Sequence, residues 1–219
     1  MEFKGKIETS SAQTASILRQ SIITGEIKPG TRLRETELSR SLNISRSPIR
    51  EAFRILESEG LVQINPNKGT FVIHITEKDL QEIYELRILL ELYGLRQAFK
   101  NLAKEHFKEM EKLLQEMERK LAVKDYISYL NVSHEFHEFY LERCGNERLF
   151  YIFRILKNNI LAIQFFAYSY PAHGSNSLEE HKKILAALMK GDLEKAVGDL
   201  RIHLESGYQR AKEFLKIKR

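Results

Sequence analysis

Residues 25–72 read GEIKPGTRLRETELSRSLNISRSPIREAFRILESEGLVQINPNKGTFV, and the order of signals within them decides the fold of the first third of the chain. Pro29-Gly30 marks a turn. A short helix from about Thr36 carries Leu38 and Leu42 on one side, and Asn43, a residue type that tolerates left-handed backbone, ends it. Ser45 opens a third helix whose buried stripe is Ile49, Ala52, Phe53 and Leu56, at i, i+3, i+4 and i+7, and Gly60 closes it. The β-branched runs 61–64 and 71–75 flank Asn65-Pro66-Asn67-Lys68-Gly69-Thr70, which predicts a hairpin with a polar tip. Upstream, Ser10 and Ser11 can cap a helix carrying Ala15, Leu18 and Ile22 at helical spacing, with Gly25 at its end. Three helices and a two-stranded wing make a winged helix-turn-helix, predicted over residues 1–75.

The third helix has the make-up a rod needs to enter a major groove, with one face seated on its domain and the other polar and cationic. Arg46, Arg50 and Arg54, spaced by four, line an edge away from the apolar stripe. Ser45 and Ser47 stand at its start, where free backbone N–H groups favour a phosphate oxygen. Lys68 at the hairpin tip can reach a neighbouring phosphate or the minor groove. The alternative is a solvated surface in which Glu51, Glu57 and Glu59 pair with the arginines; the whole order of elements favours double-stranded DNA.

These residues resemble the DNA-binding domain of GntR-family bacterial transcription regulators. The likeness runs through G-x-I-x-P-G-x-x-L, E-L-S, S-R-S-P-I-R-E-A, E-G-L-V and K-G-T-F-V. It implies that Ser45, Arg46, Ser47 and Arg50 contact DNA from the recognition helix, and Lys68 with Gly69 from the wing.

Composition bounds what else the chain can be. Its 219 residues are 42% hydrophobic and 30% charged, an ordinary globular balance, with a net charge of +5. Residues 1–75 hold eleven Lys+Arg against eight Glu, so +3 of that excess falls on the first third, which permits a polyanionic partner. The lone cysteine, Cys144, rules out an internal disulfide framework and a zinc-thiolate cluster and points to a reducing cytoplasm. The longest apolar run, Ile160 to Tyr168, is interrupted by Gln164 and too short for a bilayer, and the N-terminus lacks the apolar stretch of a signal peptide. Neither secretion nor membrane insertion is expected.

Residues 76–219 are predicted to form an all-helical bundle. Ile83, Leu86, Leu90 and Tyr93 give one stripe, and Met110, Leu113, Met117 and Leu121 another. Further helices are expected at about 125–142 and 146–168, then a break over 171–176. Ser177 with Glu180 reads as the capping box of the next helix. Histidines supply the chemistry. Leu130, His134, His137 and Leu141 share a face; His181 lies with Ile184, Leu185 and Leu188; His203 lies with Ala196, Leu200 and Gly207. Three helices thus aim imidazoles inward, and a shared divalent metal such as zinc, nickel or manganese satisfies them together, where each alone must find a hydrogen bond. His74, His106 and His173 read as incidental. Arg87 adjoins the apolar stripe, and two readings are open for it: a clamp on a small organic acid, or an internal ion pair with Glu91.

The segments ELRILLE (85–91), FHEFYLERCGN (136–146), EEHKKILAALMKGD (179–192) and AVGDLRIHLE (196–205) are similar to the FCD effector domain of the FadR subfamily within the GntR regulators. The resemblance implies a helical bundle around a cavity, a metal held by one carboxylate and three histidines, and a small carboxylate effector. The histidines fall on His137, His181 and His203. The family's aspartate position, four residues earlier, holds Ser133, leaving Ser133, His134 or water as the fourth ligand.

The expected function is a cytoplasmic, homodimeric repressor that binds palindromic operator DNA under control of a small acid, a metal or both. A metalloenzyme is the rival, but Glu135 and Glu138 point off the histidine face and no H-E-x-x-H is present, so no enzyme is expected. The other rival is an architectural DNA-binding protein whose helical part only dimerises.

Overall fold

A computed structural model describes residues 10–74, 76–167 and 173–217. The chain divides into two units, Met1–Ile75 and Thr76–Arg219.

In the first unit, α1 (Ser10–Ile23), α2 (Glu35–Leu42) and α3 (Arg46–Ser58) enclose a small core with a sheet of β1 (Arg32–Leu33), β2 (Val62–Asn65) and β3 (Gly69–Val72). Ala15, Leu18 and Ile22 of α1 are buried, as are Ile49, Ala52, Phe53 and Leu56 of α3, so the predicted stripes are the ones that pack. Arg19 Nε donates to Glu59 Oε2 at 2.8 Å, tying α1 to the end of α3. Asn43 takes the left-handed conformation (φ 52°) that lets the chain turn between α2 and α3.

The wing has three strands rather than the two of the predicted hairpin. β1 adds antiparallel to β3, giving the order β1-β3-β2, with Arg32 opposite Phe71 and Leu33 opposite Thr70. A two-residue strand has no alternation for sequence periodicity to detect. The turn ahead of it is anchored by the sheet itself: Gly30, at φ 79°, donates its N–H to the Val72 carbonyl at 2.9 Å.

The second unit contains α4 (Glu77–Ala98), a single 3-10 turn (Phe99–Asn101), α5 (Lys104–Ala122), α6 (Tyr126–Leu141), α7 (Glu147–Ala167), α8 (His173–Met189) and α9 (Leu193–Ile217). Thr76 and Asp79 form a capping box at the start of α4. The packed face of α4 differs from the predicted one. Leu80, Tyr84, Arg87, Glu91, Leu95 and Ala98 face the core, whereas Leu86 (51% exposed), Leu89 (68%) and Tyr93 (52%) face outward. α4 has apolar residues on two sides, and the side that packs is the one where a buried Arg and Glu satisfy each other. On α5 the buried residues are Met110, Leu114 and Met117, so Leu113 and Leu121 lie at the edge of that face.

The expected capping box at Ser177 is also corrected. α8 begins at His173, which places Ser177 in its second turn and releases Glu180 to reach α9. Tyr168, the His173 side chain and the first two residues of the expected break at 171–176 lie outside the described residues. α4 and α6 approach closely at Gly94, where a Cβ would run into Leu141 Cδ2. None of the described helices is long and apolar enough to cross a membrane.

Phe53 is 2% exposed at the centre of the first unit. Phe53→Ala is expected to destabilise that unit by about 3–5 kcal/mol, read as a fall in its urea unfolding midpoint.

Candidate functional site

The first unit presents a cationic edge. α3 buries Ile49, Ala52, Phe53 and Leu56, and its helical period puts Arg46, Arg50 and Arg54 on exposed positions off that stripe. Ser45 is the N-cap, in extended backbone, and its hydroxyl makes no capping bond, so Ser45 and Ser47 stand exposed at the helix start. Arg50 Nε donates to Glu35 at 2.9 Å, and Arg54 to Glu51 at 3.0 Å. Lys68 is exposed at the tip of the β2–β3 turn. Gly69, at φ 108°, follows it where a Cβ would meet the Arg32 guanidinium at 3.0 Å. Arg32, which the sequence reading did not single out, crosses the wing there with its guanidinium 5.9 Å from the Phe71 ring centre. Only the pairing of β1 with β3 reveals it.

In the second unit α6, α8 and α9 bring His137, His181 and His203 together, all buried, each offering a ligand atom within 4.8 Å of the others. The other nitrogen of each ring is engaged. His137 Nδ1 lies 2.6 Å from Glu91 Oε2, His181 Nδ1 2.6 Å from the Ser177 carbonyl, and His203 Nδ1 2.8 Å from Glu180 Oε2. A carboxylate and a carbonyl can only accept, so each Nδ1 carries the proton and each Nε2 lone pair turns inward. His137 and His181 bring their Nε2 atoms to 3.1 Å. Two nitrogens bound at ~2.1 Å to one ion stand roughly 3–3.4 Å apart, so this pair is already at ligand spacing. Burial, reinforced by the neighbouring rings, holds His181 well below the ordinary imidazole pKa. Burial, with the Arg87 and Arg210 guanidinium groups nearby, does the same for His203. Ring nitrogens that converge with their tautomers fixed from behind are what a divalent transition metal requires, and the donor set fits one.

Glu91 is the hub behind His137. It accepts from Arg87 Nε at 2.6 Å and from the Tyr140 hydroxyl at 2.7 Å. Burial opposes its charge, but Arg87 and His137 hold the carboxyl well below the usual range. Arg87, 2% exposed, is held in an internal ion pair with Glu91. Glu180 plays the corresponding part for His203 and is held by both terminal nitrogens of Arg210, at 3.2 and 3.1 Å. Sequence reading missed Glu91 and Glu180 as supports because their partners lie on other helices; the i, i+4 spacing of Arg87 and Glu91 was the only local signal.

Ser133 and His134 separate clearly. Ser133 Oγ is 3.2 Å from His181 Nε2 and buried, one turn before His137. His134 stands outside the cluster. Its Nε2 lies 2.7 Å from Gln164 Oε1, and its ring centre is 6.4 Å from that of His137. His106 serves its own helix, its Nδ1 accepting the Ala103 N–H at 3.0 Å.

Comparison with known proteins gives this arrangement its context. Residues 10–72 match the model of bacterial regulatory proteins of the gntR family, and residues 82–206 match the FCD domain. The chain is 29% identical to the HTH-type transcriptional regulator YdhC of Bacillus subtilis, over 91% of this chain and 89% of that one. It is 32% identical to the gluconate operon transcriptional repressor of Bacillus licheniformis over 68% of this chain and 61% of that one. Among solved structures, a GntR transcriptional regulator of Rhodococcus sp. RHA1 aligns with a TM-score of 0.74 at 26% identity, covering 93% of this chain and 97% of that one. The metal-free FCD domain of TM0439 shares the fold at TM-score 0.57 and 21% identity, over 66% of this chain and 99% of that one. The winged unit and the helical unit thus each match their own model, and the chain belongs to the gntR family of bacterial regulatory proteins with a C-terminal FCD domain: it is a DNA-binding transcription regulator, not an enzyme.

Proposed function

We propose that the protein is a cytoplasmic repressor that binds a palindromic operator as a homodimer and responds to a divalent metal and a small carboxylate held in its helical unit. The observation that carries the DNA part is the division of α3, with four apolar residues buried and Arg46, Arg50 and Arg54 exposed beside a wing tipped by Lys68. Repression is supported by similar proteins that are repressors, among them the gluconate operon repressor and the repressor RspR of Escherichia coli. Ser45, Arg46, Ser47 and Arg50 are assigned to the groove, Arg54 to its edge, and Lys68 with Gly69 to the flanking backbone.

Dimerisation is supported by the outward apolar residues of α4 (Leu86, Leu89, Tyr93) and of its packing neighbour α7 (Tyr151, Ile152, Ile155), each at least half exposed. Such a concentration of exposed large apolar side chains suits a self-association face. For the metal, His137, His181 and His203 are the ligands, with Ser133 beside them. Zinc, nickel and manganese all suit the donor set, nitrogen-rich sites favouring the first two. Bound metal and acid would favour one packing of the bundle and thereby the spacing of paired winged units on DNA.

Arg46→Ala and Arg50→Ala are each expected to weaken binding to the protein's own promoter fragment by roughly tenfold or more while leaving the fold intact, measured by fluorescence anisotropy at fixed salt. Unchanged affinity in both would overturn the recognition-helix assignment. His181→Ala combined with His203→Ala is expected to remove bound metal in elemental analysis of protein purified without chelator; a full complement retained would exclude these ligands. Leu89→Glu is expected to turn a sedimenting dimer into a monomer, and an unaltered dimer would place the interface elsewhere.

A further inference from the structure

Most arginines of the first unit are spoken for by carboxylates. Arg19, Arg34, Arg50 and Arg54 pair with Glu59, Glu37, Glu35 and Glu51 respectively. Arg32 is exposed and, among the described residues, pairs with no carboxylate, yet its side chain is held in place. On β1, Leu33 is buried opposite buried Thr70, so the alternation of the strand turns Arg32 outward, opposite Phe71. Its guanidinium lies 5.9 Å from the Phe71 ring centre, within reach of a cation–π contact. The same group extends along β3 toward the turn. A Cβ on Gly69, two residues before Phe71, would stand 3.0 Å from Arg32 Nε and 3.2 Å from Nη2. The guanidinium therefore rests against bare backbone next to Lys68, which is exposed at the tip.

An arginine without a carboxylate partner keeps its charge and its fork of donors for an anion from outside. One already rested on a ring and a glycine has less rotamer freedom to lose when that anion arrives. Resting on the assignment of the wing to the flanking DNA backbone, we infer that Arg32 is a further DNA contact, a bidentate grip on a backbone phosphate beside the one met by Lys68. Gly69 acts as the seat of this arginine: its missing side chain leaves the space in which the guanidinium lies. The third strand of the wing then has a use, because β1 delivers to the tip a cation that the β2–β3 hairpin does not carry.

The test uses the full-length protein and its own promoter fragment, with affinity read by fluorescence anisotropy between about 50 and 200 mM salt. Arg32→Gln is expected to weaken binding about tenfold and to lower the slope of log affinity against log salt by about 0.9 for each winged unit bound. Arg32→Lys is expected to restore the slope but only part of the affinity, since an ammonium keeps the charge and loses the fork. Gly69→Ala is expected to cost about tenfold in the unsubstituted chain and less than about threefold once Arg32→Gln is present. Gly69→Asn, whose backbone accepts positive φ more readily, takes its place if Gly69→Ala does not fold, as judged by circular dichroism. Equal losses in the two backgrounds overturn the role of Gly69 as a seat. An unchanged slope in Arg32→Gln overturns the phosphate contact, and if Lys68→Ala still lowers the slope the wing reading survives. A slope that neither Arg32→Gln nor Lys68→Ala lowers overturns the assignment of the wing itself.

Discussion

Three ring nitrogens that must give their protons outward organise the second unit. Because Glu91, the Ser177 carbonyl and Glu180 accept at Nδ1 of His137, His181 and His203, the opposite lone pairs have nowhere to point but toward each other. Each acceptor is itself fixed. Arg87 and Tyr140 hold Glu91, Arg210 holds Glu180, and the backbone of α8 holds the carbonyl. Converging lone pairs repel, so the apolar packing of four helices has to keep them together. Packing energy is in effect converted into a pre-organised donor set whose tautomers need no adjustment.

The first unit follows a simpler rule. A helix with a narrow buried stripe has most of its circumference left for other work, and α3 uses that remainder for arginine and serine. The wing shows how the chain positions this helix with little material. Two residues of β1, one glycine N–H and the β3 edge join the turn after α1 to the far side of the sheet.

What could be read from the residues alone depended on whether the deciding interactions were local. The stripe of α3 and the inward histidines rest on spacing within one helix, the left-handed Asn43 on residue type, and these features are found in the fold. The face of α4 was misassigned because periodicity counts apolar residues and cannot know that Arg87 and Glu91 satisfy one another, which makes their side the buried one. Ser177 and Glu180 imitate a capping box, but the helix starts a turn earlier and Glu180 belongs to His203 and Arg210. β1 was too short to carry a pattern. The misses at β1 and Glu180 concern residues whose roles are set by partners far along the chain.

The contact between Arg50 and Glu35 has a bearing on how such a helix searches a genome. An arginine already occupied by a carboxylate on the neighbouring helix presents a muted field to passing phosphates, so random duplex gains little by displacing it. Guanine's outer rim offers an arginine two well-placed acceptors in exchange for what Glu35 provides. If Arg50 reads bases as proposed, its acidic neighbour sets a threshold against careless encounters and leaves the rewarded sites comparatively sharper.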